Sequence, residues 1–345
     1  MLYAIYCMNK KKLTEINGGF GRLARFAQVL SEASLFVRYK WGGGCMSAAE
    51  TWNEDLEKEL SFECLGEPER PITEELCSNA GAKYTAVFSR AEDMVKAAIE
   101  VKKLNRDVFC KLPFCVTVEA EAFGAEVSLN SLYGVPAVAR FRYERIEDIP
   151  ALPEMDFATG RVREVLRAAT ILRDMGETVI LNIEGPFTVL SQLVPSKQIY
   201  KGLYRQREKL RELSAWITAQ LVRYAQEAER NGVDVLSYAD PTVAADLVSP
   251  KLYADLCGEI SYEVLKAIEQ GTERVVLHLC NKTSVAFQKA GFCTMERIIP
   301  RPGLTYGEAL RDAVRRPDVR CIGHGCIQRT YCPMTNGCIY KLTLK

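Results

Sequence analysis

The stretch TVILNI, residues 178–183, decides the fold class of this 345-residue chain. It is an almost unbroken apolar and β-branched run, which is typical of a strand buried on both faces of a parallel sheet. The preceding segment, GRVREVLRAATILRDMG (160–176), places apolar residues at helical spacing and closes on Gly176, a residue suited to the turn after a helix. An amphipathic helix that leads directly into a buried strand predicts an α/β fold.

The same alternation of helix and strand continues along the chain. A long amphipathic helix that ends at Asn231-Gly232 precedes the predicted strand VDVLSYA (233–239). The pattern also predicts strands at RVVLHL (274–279), VRCIGHG (319–325) and, upstream, FCKLPFCVTV (109–118). One stripe of the long helix is expected to be buried, and its members are Leu210, Leu213, Ile217, Leu221, Tyr224 and Ala228.

Capping residues mark the ends of several predicted helices. Ser249-Pro250 combines a capping serine with a proline at the first helical position. Thr305 and Glu308 have the spacing of a capping box, and Gly291 is expected to end a short helix. Strands alternating with helices predict parallel βα units, and a chain of this length favours a (β/α)8 TIM-type barrel over an open sheet.

Composition excludes several classes of partner. The net charge is +1, from 45 basic and 44 acidic residues, so there is no electrostatic case for nucleic acid or an anionic membrane as the main partner. The chain shows neither a secretory signal pattern nor an apolar run of about 18 residues. Thirteen cysteines without such a signal predict a cytoplasmic protein with reduced thiols, some of them available to a metal.

The predicted strand ends gather the polar residues that could carry chemistry. In barrels of this kind the active residues lie at the carboxyl ends of the strands, on the loops that lead to the helices. Both histidines of the chain stand there, and each precedes a cysteine by two positions. The candidate residues at strand ends are Glu119, Glu121, Glu184, Asp240, His278, Cys280, His324 and Cys326.

The HLC tripeptide predicts a zinc site. Catalytic zinc has three protein ligands and one open position. Residues two apart in a strand point to the same side, so His278 and Cys280 can face one ion, and Cys326 at another strand end is the natural third ligand. His324 is either an alternative to Cys326 or a neighbour that orients the site. The simpler alternative is a set of buried thiols around a core histidine.

Other interpretations of these residues stay open. Cys321, Cys326, Cys332 and Cys338 could hold an iron–sulfur cluster, although their spacing of 5, 6 and 6 matches neither common ferredoxin pattern. The carboxylates could equally belong to turns, since Asp240 precedes Pro241 and Glu184 precedes a Gly-Pro pair.

Five segments resemble the uroporphyrinogen decarboxylase superfamily and, within it, the zinc-dependent methylcobamide:coenzyme M methyltransferase-like branch. In chain order they are LPFCVTVEAEAFGAEV, LNIEGPFTVLSQLV, GVDVLSYADPTVAADLVSPKLYADL, VVLHLCNKTS and IGHGCI. The resemblance covers roughly residues 70–340 and implies a (β/α)8 barrel. It also implies zinc held by His278, Cys280 and Cys326.

This chain departs from the family pattern in three places. Asn281 follows the HLC tripeptide where a glycine is usual. Only 45 residues separate Cys280 from Cys326, so one βα unit is expected to be shortened or missing. The first 65 residues match poorly. Residues 1–70 are expected to form an N-terminal extension or lid, and residues 71–345 the uroporphyrinogen decarboxylase-like barrel domain.

The resemblance implies a methyltransferase that moves a methyl group from a methylated corrinoid (cobalamin type), carried on a separate protein, to a small-molecule thiol or related acceptor. Asp240, Glu184 and Glu121 are expected to line the substrate mouth with His324 beside them, and Tyr238 and Glu119 to contact the corrinoid. The chain is compatible with a homodimer. The alternatives are a metal-free tetrapyrrole enzyme of the decarboxylase type and a non-enzymatic corrinoid- or tetrapyrrole-binding accessory protein. The Arg-x-Ala-Gly-Arg type motif of the decarboxylases is absent from the sequence.

Overall fold

The computed structural model describes residues 72–130, 134–334 and 337–345. The predicted N-terminal extension, residues 1–70, lies outside these residues. The helices are α1 (Glu74–Asn79), α2 (Ala91–Asn105), α3 (Val118–Ala122), α4 (Gly160–Asp174), α5 (Pro186–Leu193), α6 (Ser196–Arg205), α7 (Arg207–Arg230), α8 (Pro250–Leu252), α9 (Gly258–Gly271), α10 (Asn281–Ala290) and α11 (Tyr306–Val314). A π-helical turn, Tyr253–Cys257, joins α8 to α9.

Nine strands are present in the described parts of the chain. They are β1 (Phe109–Leu112), β2 (Glu126–Ser128), β3 (Ala137–Arg140), β4 (Thr178–Glu184), β5 (Val235–Ala239), β6 (Val276–Cys280), β7 (Cys293–Ile298), β8 (Cys321–Gly325) and β9 (Ile339–Leu344). β2 and β3 form a separate antiparallel pair. The other seven form one sheet in the order β1-β4-β5-β6-β8-β9-β7.

The sheet is mostly parallel, as the sequence predicts. The five strands from β1 to β8 in this order run parallel, whereas β9 is antiparallel to both of its neighbours. β7 follows β6 in the chain but pairs at the far edge of the sheet, so β6 and β8 are direct neighbours. The strand ends that carry Cys280 and Cys326 are therefore adjacent in the sheet, although β7 lies between them in the chain.

The residues of each strand divide between two apolar clusters, since successive side chains point to opposite faces of a sheet. One face of the sheet, which we call the outer face, is covered by helices α2, α4, α7 and α9, and these pack against residues such as Leu181 and Leu277. On the inner face, Ile180, Val235 and Val276 pack against α11. The predicted stripe of α7 is buried on the outer side, with every member at most 3% exposed.

Strand β1 is shorter than the sequence predicts, which changes the position of Glu119. The segment FCKLPFCVTV was predicted to be one strand, but β1 ends at Leu112 because Pro113 has no N–H to continue the ladder. Val118 therefore begins α3, and Glu119 lies on that short helix instead of at a strand end.

Among the described residues, no helix has the length and apolar character needed to cross a membrane.

Candidate active site

Two of the three predicted metal ligands line one cleft. Cys280 ends β6 and is paired in register with Gly325 of β8, the residue before Cys326. Both cysteines line a cleft at the carboxyl ends of these strands, together with Asp240 and Tyr253. Cys280 is also the N-cap residue of α10, and its Sγ lies 3.3 Å from the hydroxyl of Thr283. The adjacency of β6 and β8 is therefore what brings the two thiols to the same opening.

His278 lies beneath this cleft, on the inner face of β6, and is fully buried. Its Nε2 is 2.9 Å from the hydroxyl of Tyr306, the first residue of α11. Its Nδ1 is buried and has no hydrogen-bond partner among the described residues. Burial lowers the pKa of His278 to about 3, so the imidazole is neutral at physiological pH and one nitrogen keeps a free electron pair.

These donors fit zinc by their chemistry. Cysteine thiolates and a neutral imidazole are zinc ligands of the usual kind, and the unpartnered Nδ1 of His278 is a buried acceptor that a metal ion would satisfy. Within residues 72–130, 134–334 and 337–345, however, no three His, Cys, Asp or Glu side chains are already gathered as a metal-binding group. The structure thus brings Cys280 and Cys326 together and leaves His278 directed towards Tyr306.

Asp240 binds the start of helix α5. Its carboxylate accepts hydrogen bonds from the backbone N–H groups of Phe187 (3.2 Å) and Thr188 (2.8 Å) and from the hydroxyl of Thr188 (2.7 Å). These are the second and third residues of the helix, whose N–H groups need an external acceptor. Gly185 allows this approach, since a Cβ there would overlap Asp240 and Tyr238. Burial nevertheless raises the pKa of Asp240 to about 7.

Glu119 and Glu184 form a buried pair of carboxyl groups. Oε1 of Glu119 accepts the backbone N–H of Glu184 at 3.1 Å, and each residue has an Oε2 without a partner in the described structure. Burial raises the pKa of Glu119 to about 7. It raises that of Glu184 well above the usual range, with the charges of Glu119 and Asp240 adding to the effect. Both groups therefore tend to hold a proton near neutral pH.

Glu121 and His324 lie apart from the cleft-lining residues. Glu121 pairs with the buried guanidinium of Arg161 and borders a second depression. His324 has a left-handed backbone conformation (φ 58°), and its N–H donates to Ser284 Oγ at 3.0 Å. Its ring lies edge-on to Tyr340, with centroids 5.2 Å apart, and burial lowers its pKa to about 4.

Sequence reasoning missed two residues of this region. Neither Tyr306, which follows the predicted helix cap Thr305, nor Tyr253 was singled out. Tyr306 contacts a histidine 28 positions away, because α11 crosses the inner face of the sheet. Tyr253 enters the cleft from the π-helical turn. No local pattern in the sequence signals either contact.

Comparison with known proteins shows which family this chain resembles and which enzymes are similar to it. A family model described as uroporphyrinogen decarboxylase (URO-D) matches residues 64–297. The methylcobamide:CoM methyltransferase MtaA of Methanosarcina barkeri is 28% identical over 242 residues, which cover 69% of this chain and 69% of that protein. The methylcobamide:CoM methyltransferase MtbA of Methanosarcina mazei is 26% identical over 215 residues, covering 61% and 63%.

A solved structure shows the same likeness. A methyltransferase from Methanosarcina mazei superposes with a TM-score of 0.57 at 25% sequence identity, and the match covers 65% of this chain and 67% of that chain. Together with the family model, this likeness confirms the TIM-type barrel expected from the sequence. The relatives also confirm the expected enzyme class, a methyltransferase.

Proposed function

Because this chain belongs to the uroporphyrinogen decarboxylase (URO-D) family, and to its methylcobamide:coenzyme M methyltransferase-like branch, we propose that it transfers a methyl group from a methylated corrinoid to a thiol. The donor is a corrinoid carried on a separate protein, and the acceptor is a small-molecule thiol. The observation that carries this proposal is the shared cleft of Cys280 and Cys326, with His278 two residues before Cys280 on the same strand.

Zinc is the metal that we propose for this cleft, held by His278, Cys280 and Cys326. The neutral state of His278 and its unpartnered Nδ1 support this ligand set. Three protein ligands leave the fourth position of zinc open for the acceptor. When bound, zinc lowers the pKa of an acceptor thiol from about 8.5, so that the thiolate exists at neutral pH.

The transfer itself is an in-line displacement at the methyl carbon. The thiolate sulfur forms the new bond to carbon while the carbon–cobalt bond breaks, and its electron pair stays on cobalt, which passes from Co(III) to Co(I). The proton of the acceptor thiol leaves to solvent before this step. The cleft must therefore admit a corrinoid from one side and hold the acceptor sulfur on the other.

The remaining predicted residues take supporting roles in this proposal. Asp240 and Tyr238 line the cleft and would border the acceptor and the corrinoid. Glu184, held by Glu119, would stay protonated below the cleft, so that it does not repel a thiolate. Glu119 is 1% exposed and would act through Glu184 instead of touching the corrinoid.

Two further residues are proposed to act from the edges of the site. Glu121, fixed by Arg161, would line the outer part of the substrate mouth from the second depression. His324 would support the strand end that carries Cys326, since its backbone N–H is tied to Ser284 on α10.

The test is demethylation of free methylcobalamin. The purified protein is incubated with methylcobalamin and a panel of thiols that includes coenzyme M, and the corrinoid spectrum is followed. We expect zinc-dependent demethylation that is lost in Cys280→Ala and in Cys326→Ala. The matched control is Cys77→Ala, which removes a buried thiol in a different apolar cluster and should retain activity.

Activity that survives both chelation of zinc and Cys280→Ala would refute the zinc mechanism. Absence of demethylation with every thiol, in a folded protein that contains zinc, would favour the accessory protein over the enzyme.

A further inference from the structure

We propose that Tyr306 is a positioning residue of the metal site: its hydroxyl accepts the Nε2–H of His278 and so presents Nδ1 as the nitrogen that binds the metal. Tyr306 Oη lies 2.9 Å from His278 Nε2, and the two side chains are 8% and 0% exposed. This inference rests on the proposed zinc site, and it adds which nitrogen binds and what fixes it.

The two nitrogens of His278 have different surroundings. Nε2 has Tyr306 as its partner, whereas Nδ1 is buried with no partner in the described residues. A neutral imidazole carries one N–H, and the hydrogen bond made by one nitrogen decides the state of the other. If Tyr306 accepts from Nε2, Nδ1 keeps its electron pair and can bind a metal. If Tyr306 donates instead, Nδ1 carries the hydrogen and cannot.

Tyr306 is held in this position from both sides. A Cβ on Gly325 would overlap the Tyr306 ring, so the glycine between His324 and Cys326 makes the room for it. Gly325 is also the register partner of Cys280. The Tyr306 ring therefore packs against the strand end that lies between the two cysteines.

The backbone of Tyr306 is equally fixed. Its N–H donates to the carbonyl of Cys332 at 2.9 Å. The preceding residue, Thr305, forms a capping box with Glu308, which sets the direction in which α11 begins. Residues that orient a metal-binding histidine through its second nitrogen usually change metal affinity 10–100-fold when they are altered.

The first experiment reads the tautomer of His278 without any metal. The chain has only two histidines, so a protein labelled with ¹⁵N-histidine gives two ring systems in a long-range ¹H–¹⁵N spectrum. A His324→Gln variant assigns them. We expect His278 to carry its hydrogen on Nε2 in the zinc-free protein. A hydrogen on Nδ1 would overturn the inference, whatever the protein does with zinc.

The second experiment measures zinc affinity by competition with a chelator. We expect Tyr306→Phe, which keeps the ring against Gly325 and removes only the hydroxyl, to bind zinc about 10–100-fold more weakly. The matched control is Tyr340→Phe, because Tyr340 contacts the other histidine, and its zinc affinity should equal that of the unaltered protein.

The outcomes separate this inference from the proposed function. Zinc binding with equal affinity in Tyr306→Phe and the unaltered protein would overturn the role of Tyr306 and leave the zinc site standing. Failure of the unaltered protein to bind zinc would overturn the zinc site and this inference with it. Circular dichroism of each variant establishes that a lost affinity does not come from unfolding.

Discussion

At the scale of single residues, Asp240 performs a structural task inside the candidate site. Its carboxylate satisfies the N–H groups of Phe187 and Thr188, and at the same time it lines the cleft with Cys280. A negative charge at this end of α5 also interacts favourably with the helix dipole. Loss of Asp240 would therefore alter stability and activity together, which makes a mutation there hard to interpret from activity alone.

We predict that Asp240→Ala lowers the free energy of unfolding by about 1–2 kcal/mol at pH 5, where the raised pKa keeps the buried carboxyl group mostly protonated and no buried charge is relieved by the change. Alanine removes the acceptor of the N–H groups of Phe187 and Thr188. Urea denaturation measures the difference, with Asp174→Ala on the exposed end of α4 as the control. Equal stability of Asp240→Ala and the unaltered protein would contradict the capping role.

The buried pair of Glu119 and Glu184 predicts a pH dependence of stability. The pKa of Glu119 is raised from 4.5 to about 7, so the folded protein holds a proton that the unfolded chain releases between these values. The stabilisation is complete below about pH 4.5 and is lost as the pH rises through 7, and Glu184 acts in the same direction. Between pH 5 and 8, we predict that the free energy of unfolding falls by roughly 1–3 kcal/mol less in Glu119→Gln than in the unaltered protein.

Urea denaturation at several pH values tests this expectation. Glu75→Gln removes an exposed carboxyl group in α1 and serves as the control. A Glu119→Gln protein with the same pH profile as the unaltered chain would show that Glu119 is already ionised in the fold.

At the scale of helices and strands, the sequence correctly predicted the helix caps, which depend only on residues close together in the chain. Ser249 accepts the N–H of Leu252, and Gly291 ends α10 in the left-handed conformation, both as expected. The capping box of α11 is also present. Such caps are decided within about four residues, so they can be read from the chain alone.

The errors at this scale have non-local causes. The β-branched and aromatic residues of 114–118 favoured a strand, but Pro113 ends the ladder and packing places Val118 in a helix. β7 and β9 were not predicted, since they pair with one another and with β8 across long stretches of chain. The hydrophobic pattern of β7 is also weak, because half of its residues are exposed.

Helix α11 offers a test at this scale. We predict that Thr305→Ala lowers the free energy of unfolding by about 1 kcal/mol, because the N–H of Glu308 loses its acceptor at 3.2 Å. Glu308→Gln retains an oxygen that can accept from the N–H of Thr305 and should cost less than Glu308→Ala. The comparison is made by urea denaturation. The opposite order would indicate that the capping box does not hold the start of α11.

At the scale of the whole molecule, the order of strands in the sheet creates the candidate site. The sequence placed Asp240, Cys280 and Cys326 at strand ends, and the structure brings these three to one cleft. It could not predict that β7 leaves its place between β6 and β8, because strand order depends on pairing between distant segments. For the same reason, the sequence alone could not predict the contact of His278 with Tyr306.

The apolar clusters on both faces of the sheet predict how the protein responds to loss of metal. These clusters are built without Cys280, His278 or Cys326, so the core does not depend on a metal ion. We expect chelation of zinc to abolish methyl transfer while the far-ultraviolet circular dichroism stays unchanged and the Tm falls only slightly. Restoring zinc should restore activity. A zinc-free protein that unfolds would show that the metal is structural, as in small zinc domains.

The π-helical turn Tyr253–Cys257 has a consequence for how the cleft can change during evolution. Such a turn contains one residue more than the α-helix around it, and each residue of an α-helix advances about 100° around the axis. Deletion of one residue here would restore a regular helix and rotate Tyr253 out of the cleft, while Cys280 and Cys326 keep their places on the sheet. Loss of one residue would thus widen the opening of the cleft. We expect related enzymes that act on larger acceptors to lack a residue at this turn.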